Sequence, residues 1–181
     1  MIGLEQLIKA NSSFLLKSAA NGDGLSKNPK HHIAIVTCMD TRLVELLESA
    51  LGIKRGEAVV IKTAGTSTDG NFGTILRSLV IAIYALDVEE IVVVGHEDCG
   101  VTQISPSMLK QKMQKRGIDK RHIRKFEEEA IAWLDKVHNS EEEVKKLVDA
   151  LRKTTIIPRA VPIHGLMIHP DTGKVSPLSD G

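Results

Sequence analysis

The residues best suited to chemistry fall in two short segments, Cys38-Met39-Asp40-Thr41-Arg42 and His96-Glu97-Asp98-Cys99. The i, i+3 spacing of His96 and Cys99 lets two side chains of one turn grip the same ion. With Cys38 they make a thiolate, imidazole, thiolate set that suits tetrahedral zinc. Three protein ligands leave a fourth position, the mark of a catalytic rather than a structural site. Asp40 either fills that position or stands beside it. Arg42 offers a planar guanidinium for a bidentate fork on the Asp40 carboxylate, which would hold Asp40 off the metal. An ionised Asp40 accepting a hydrogen bond from a zinc-activated water would orient that nucleophile, since zinc lowers the pKa of water from roughly 15.7 to about 7. The chemistry is hydration or hydrolysis.

Plainer readings exist for each residue. Cys38 and Cys99 also fit buried thiols, or a redox disulfide joining two strand ends, although a disulfide leaves His96 without a role. Asp40 and Arg42 also fit a helix cap and its ion pair. Gly65 reads as a turn glycine whose missing side chain lets the backbone approach the site. His31, His32, His122, His138, His164 and His169 lack ligand spacing with a cysteine and read as ordinary surface or core residues. Glu97 and Asp98 read as facing solvent or partners beyond the ligands, and the runs Glu127–Glu129 and Glu141–Glu143 as solvated helix faces.

Positioning these residues requires strands. Ile33–Thr37, Ala58–Ile61 and Ile91–Val94 are short, β-branched apolar runs of the kind buried on both faces of a parallel sheet. Between them, Arg42–Leu51 predicts a helix with Leu43, Leu46, Leu47 and Ala50 on one face. Thr74–Leu86 predicts another, with Leu76, Leu79, Val80, Ile83 and Tyr84 inward and the Asp69-Gly70-Asn71 turn as its cap. The alternation predicts an α/β fold: a mostly parallel central sheet flanked by helices, with right-handed crossovers. Cys38 and the His96/Cys99 pair then follow the carboxyl ends of two strands, where ligands bind in open sheets. If strands two and three lie on opposite sides of strand one, the three ligands converge.

An amphipathic helical arm is predicted over residues 4–20, ending in the Asn21–Gly24 turn. Residues 108–153 predict helices, one carrying Phe126, Ala130, Trp133, Leu134 and Val137, broken and capped at Asn139-Ser140-Glu141. Val161–Ile168 and the Asp171–Lys174 turn predict a terminal strand pair. The whole, 1–181, reads as one domain: arm 1–25, metal-binding core 30–105, helical segment 108–153 and terminal strands 160–181.

With 24 Lys+Arg against 23 Asp+Glu the formal charge is +1, so no strong field favours nucleic acid, and the substrate is expected to be small. No apolar run reaches the roughly 20 residues of a membrane span, and the opening MIGLEQLIKANSSFLLK lacks a basic leader with an apolar core. The expected location is the cytoplasm, and no membrane partner is expected. Two cysteines do not make a disulfide framework.

The two segments resemble the zinc motifs of the β-carbonic anhydrases, Cys-x-Asp-x-Arg and a later His-x-x-Cys, here followed by Gly100. Their separation and the Thr63-Ala64-Gly65 loop are also similar; the likeness covers roughly residues 30–105. It implies zinc on Cys38, His96 and Cys99, with Asp40 as a fourth ligand only in a closed form. It further implies an Asp40–Arg42 catalytic dyad, substrate beside Gly65, hydration of carbon dioxide to bicarbonate, and a homodimer or dimer of dimers embraced by the N-terminal arm. Many members place a substrate-binding glutamine upstream of the first motif, where Ser26–Lys30 has none, and aromatics total 3%. A minority branch of the family takes carbon disulfide. Hydrolysis of such a small linear molecule, or a non-catalytic zinc-stabilised dimer, is therefore the alternative.

Overall fold

The computed structural model describes residues 2–17, 24–68, 72–127 and 131–178. The predicted turns at Asn21–Gly24 and Asp69–Asn71 fall wholly or mostly outside these residues, as do Ala130 and most of the Glu127–Glu129 run. Three β-branched strands build the centre: β1 (Ile33–Cys38), β2 (Ala58–Thr63) and β3 (Glu90–His96). β4 (Ile163–Ile168) and β5 (Val175–Pro177) complete a sheet ordered β2-β1-β3-β4-β5. All neighbours pair parallel except β4 and β5, the terminal pair joined through the His169–Lys174 turn. The expected α/β class is thus the observed one, and β2 and β3 do flank β1 on opposite sides.

Because strand side chains alternate faces, the sheet has two apolar cores. Ala34, Val36 and Val93 meet α3 (Phe72–Ala85) and α6 (Ser140–Lys153) on one face. Ile35, Val92 and Val94 meet Leu43, Leu47, Ile131, Leu134 and Val137 on the other, where α4 (Pro106–Lys115) adds Leu109 and Met113. α5 (Lys120–Phe126) contributes Ile123.

Three expectations need correction. The helix read over Arg42–Leu51 is broken into a 3-10 turn at Thr41–Leu43 and a short α2 (Leu46–Ala50). Val44 is extended and Glu45 adopts φ +63, which keeps Leu43 and Leu47 fully buried but leaves Ala50 exposed. In α3 the inward stripe is Ile75, Leu79, Ala82 and Ile83, so Tyr84 turns outward and its hydroxyl donates to the Ile156 carbonyl at 2.8 Å. Finally, Glu143 does not lie on a solvated face. Asn139 caps α6 by accepting from the Glu142 amide, and while Glu141 and Glu142 stay exposed at the positive end of the helix dipole, Glu143 is 3% exposed, its carboxylate taking a hydrogen bond from Lys146 at 2.7 Å.

The arm, α1 (Leu4–Lys17), carries Leu4, Leu7, Ile8, Phe14, Leu15 and Leu16, each more than half exposed. Its apolar stripe is not packed on the core of its own chain. No helix among the described residues is long and apolar enough to cross a membrane.

α6 lies close on the sheet because β3 and β4 each present a glycine to it. A Cβ on Gly95 would meet Val144 Cγ2 at 2.5 Å and the Met167 sulfur at 2.9 Å, and one on Gly165 would meet Val144 Cγ1 at 3.1 Å. Gly95→Ala should therefore overpack this seam at a cost of about 1–3 kcal/mol. The measurement is thermal unfolding, with a Tm several degrees below that of the parent expected; an unchanged Tm would show that the seam yields freely.

Candidate metal centre

Cys38 ends β1 and His96 ends β3, so the reversal of strand order brings both to one sheet edge, and the turn after His96 returns Cys99 to the same point. The three are buried, and their ligand atoms all lie within 4.8 Å of one another. The two sulfurs are free thiols 3.9 Å apart. Two sulfurs on one tetrahedral zinc at bonds of about 2.3 Å would stand ~3.8 Å apart, so this spacing fits a metal and not a disulfide. His96 Nδ1 donates to the Glu97 carbonyl at 2.9 Å, which leaves Nε2 as the lone-pair nitrogen, buried and without a hydrogen-bond partner. That orphaned nitrogen, beside two sulfurs, is what a soft-to-borderline cation would satisfy.

The surroundings favour negative charge on sulfur. The hydrogen bond between the two thiols lowers Cys38 to about 4 against the opposing effect of burial, with His96 and the amides of Gly65 and Asp40 assisting. The same bond, with burial, raises Cys99, partly offset by the Val101 amide and the Ser140 hydroxyl. Of the two sulfurs, Cys38 is the one whose surroundings favour the thiolate. Burial pulls the His96 imidazole down, but the neighbouring Cys38 sulfur, then the Glu97 carbonyl and the Asp40 carboxylate, outweigh it and leave the ring raised.

Beside the cluster, Arg42 grips Asp40 through Nε to Oδ1 and Nη2 to Oδ2, both at 3.0 Å. Its side-chain hydrogen bonds are the main reason the Asp40 carboxyl is held at about 2. Asp40 Oδ2 stands 3.8 Å from His96 Nε2, close to the ligand atoms but outside their group. Asp40 also accepts from the Arg42 amide at 2.9 Å as cap of the 3-10 turn, so the capping and ion-pair readings hold together.

Gly65 adopts φ +74, where a side chain is strained. Its carbonyl accepts from the Thr63 hydroxyl at 2.6 Å, and its amide serves the Cys38 sulfur. The other histidines stay away from the cluster: His32 Nδ1 lies 2.7 Å from the Asp87 carbonyl, His164 pairs with Glu90, and His169 accepts from two amides of the hairpin turn. Asp98 faces solvent and also partners Arg42, within the reading made of it. Two contributors escaped sequence reading. Ser140 and Glu143 line the small cavity behind Cys38, His96 and Cys99, although α6 is far along the chain and shares no motif with them. Only the folded contact of α6 with β3 reveals those two.

The chain resembles known proteins in sequence and in fold. A family model for carbonic anhydrase matches residues 33–175. A solved β-carbonic anhydrase, isoform I from Trichomonas vaginalis, is similar at 44% identity with a TM-score of 0.92, over 100% of both chains. Beta-carbonic anhydrase 1 of Mycobacterium tuberculosis is 30% identical over 83% of this chain and 84% of its own length. A carbon disulfide hydrolase from Acidithiobacillus thiooxidans is more distant, at 26% identity over 79% of this chain and 75% of that protein. With a family match across most of its length, a fold shared end to end and a cysteine–histidine–cysteine cluster able to hold a metal, the chain belongs to the β-carbonic anhydrase family of enzymes.

Proposed function

We propose that this chain is a zinc enzyme that hydrates carbon dioxide reversibly to bicarbonate and a proton. Cys38, His96 and Cys99 hold the metal, Asp40 and Arg42 act as catalytic dyad, and Gly65 borders the substrate. The observation that carries the reading is the convergence of three ligand atoms within 4.8 Å beside a carboxylate held in a bidentate fork. When bound, zinc supplies Lewis acidity and lowers the pKa of a coordinated water to about 7.

The chain's own groups then have definite tasks. Asp40, ionised throughout the working pH range, accepts a hydrogen bond from the attacking water and aims its lone pair at the substrate carbon. Arg42 holds both Asp40 oxygens, which restrains the carboxylate from turning inward as a fourth ligand and favours the open form. The donors around the sulfurs, from Gly65, Asp40, Val101 and Ser140, spread the negative charge of the thiolates.

Cys38→Ser and His96→Ala are expected to remove both metal and turnover. Asp40→Asn should retain about one zinc per chain while kcat falls by roughly a hundredfold or more, as for loss of a positioned acid–base group. Metal analysis with stopped-flow hydration on the same samples checks this, and full activity in either ligand variant sinks the assignment. Because thiolate and neutral imidazole bind metal and their protonated forms do not, metal should be released as the pH falls, never as it rises from neutrality. Dialysis at stepped pH followed by metal analysis measures the direction.

A second reading, hydrolysis of carbon disulfide, is favoured only by the distant likeness to that hydrolase. Parallel assays decide between the two substrates, and a fully metallated chain inactive on both would move the reading to a non-catalytic zinc-stabilised protein. We also take residues 1–181 as one domain acting in the cytoplasm as a homodimer or a dimer of dimers, the exposed stripe of α1 forming the arm between protomers. Sedimentation should give at least twice the 19.8 kDa chain mass. Placing aspartate at both Leu7 and Leu15 should lower it toward the monomer.

A further inference from the structure

Arg42 has more partners than its dyad needs. Beyond the two bonds to Asp40, Nη1 donates to Asp98 Oδ2 at 3.0 Å and Nη2 to the Asp98 carbonyl at 2.8 Å. The other Asp98 oxygen accepts from Gln103 Nε2 at 2.8 Å, so the aspartate is itself anchored by the 3-10 turn at Gly100–Gln103. Asp98 adopts φ +50, a region few non-glycine residues occupy, in the turn between His96 and Cys99. We infer that Asp98 is a positioning residue of the β-carbonic anhydrase reaction: from the second motif it locks the Arg42 guanidinium, and through it the orientation of Asp40. The inference rests on the catalytic role proposed above for Asp40 and Arg42.

The physical argument is one of remaining freedom. A guanidinium paired only with Asp40 still rides on a flexible stem, and the pair swings as a unit about the Arg42 side-chain torsions. Asp40 Oδ2 is 3.8 Å from His96 Nε2, so a small swing carries it into the ligand cluster or away from the water it orients. A hold on Nη1 and Nη2 from the second motif removes that swing, because the planar guanidinium is then fixed at both ends. The Asp98 carboxylate is 65% exposed, so its charge is largely screened and its service lies in geometry more than in binding energy. The backbone strain at Asp98 is consistent with a turn shaped to deliver both its carbonyl and its carboxylate to Arg42.

Asp98→Gly removes the carboxylate while suiting the left-handed backbone, and Asp98→Asn keeps an oxygen acceptor in the same place. Both should be prepared as full-length, zinc-loaded protein, with Gln103→Ala as a third variant that loosens Asp98 without touching the turn between the ligands. The first readout is rotation of the Arg42 guanidinium about its Cζ–Nη bonds, by NMR on arginine-labelled protein. Asp98→Gly should speed it about tenfold, and Gln103→Ala by less. The second is stopped-flow kinetics: kcat should fall about tenfold in Asp98→Gly, the usual scale for a residue behind the reacting groups, with KM within twofold and zinc content unchanged. Asp98→Asn should recover most of that loss.

Unchanged rotation in Asp98→Gly overturns the inference, as does unchanged kcat in an active enzyme. A combined loss of zinc, KM and kcat that asparagine does not rescue marks a merely structural residue and also overturns it. Faster rotation in a protein whose parent hydrates no carbon dioxide would uphold the lock on Arg42 and refute the proposed reaction instead.

Discussion

The site depends on one topological constraint: the chain leaves β1 in one direction to make β2 and returns to the other side to make β3. At such a reversal the loops after adjacent parallel strands diverge and leave a crevice at their carboxyl ends. Cys38 and His96, each the last residue of its strand, are fixed there by the sheet register, which pairs Thr37 with Val94 and Cys38 with Thr63. The spacing of the candidate ligands is thus inherited from backbone hydrogen bonding between central strands. Asp40 and Arg42 sit one step further out, on a 3-10 turn.

The two apolar cores have different relations to that crevice. The side with Leu43, Leu47, Ile131 and Leu134 includes Cys38 and Cys99 among its buried members, so these two candidate ligands are themselves part of a core. The side covered by α3 and α6 brings no ligand, yet its close seam at Gly95 sets Ser140 and Glu143 behind the cluster. A low-dielectric wall around two sulfurs and an imidazole raises the cost of leaving charge there uncompensated, and the surrounding amides and hydroxyl meet part of that cost.

Much of this was legible before folding. The three central strands followed from β-branched runs, and the two motifs named the residues that the sheet edge brings together. The parts that were not legible have specific causes. Leu43 and Leu47 satisfy a helical period, but burying both around the Asp40-capped turn required Glu45 to leave the helical region, which periodicity alone does not register. Tyr84 is apolar enough to read as core, yet its hydroxyl finds the Ile156 carbonyl from the outer face. Glu143 belongs to an acidic run whose first two members behave as expected. The helix phase alone turns the third inward, and that phase is set by Val144, Leu147, Val148 and Leu151 meeting the sheet.

The position of β2 at the margin of the sheet carries a further consequence. Its outer side offers amides and carbonyls that no strand among the described residues pairs, while β5 at the opposite margin is only three residues long. An open edge of six residues with β-branched side chains is a template for any extended segment that meets it, native or foreign. Irregular strand addition at that edge competes with folding as a kinetic matter, which the depth of the native energy well does not decide.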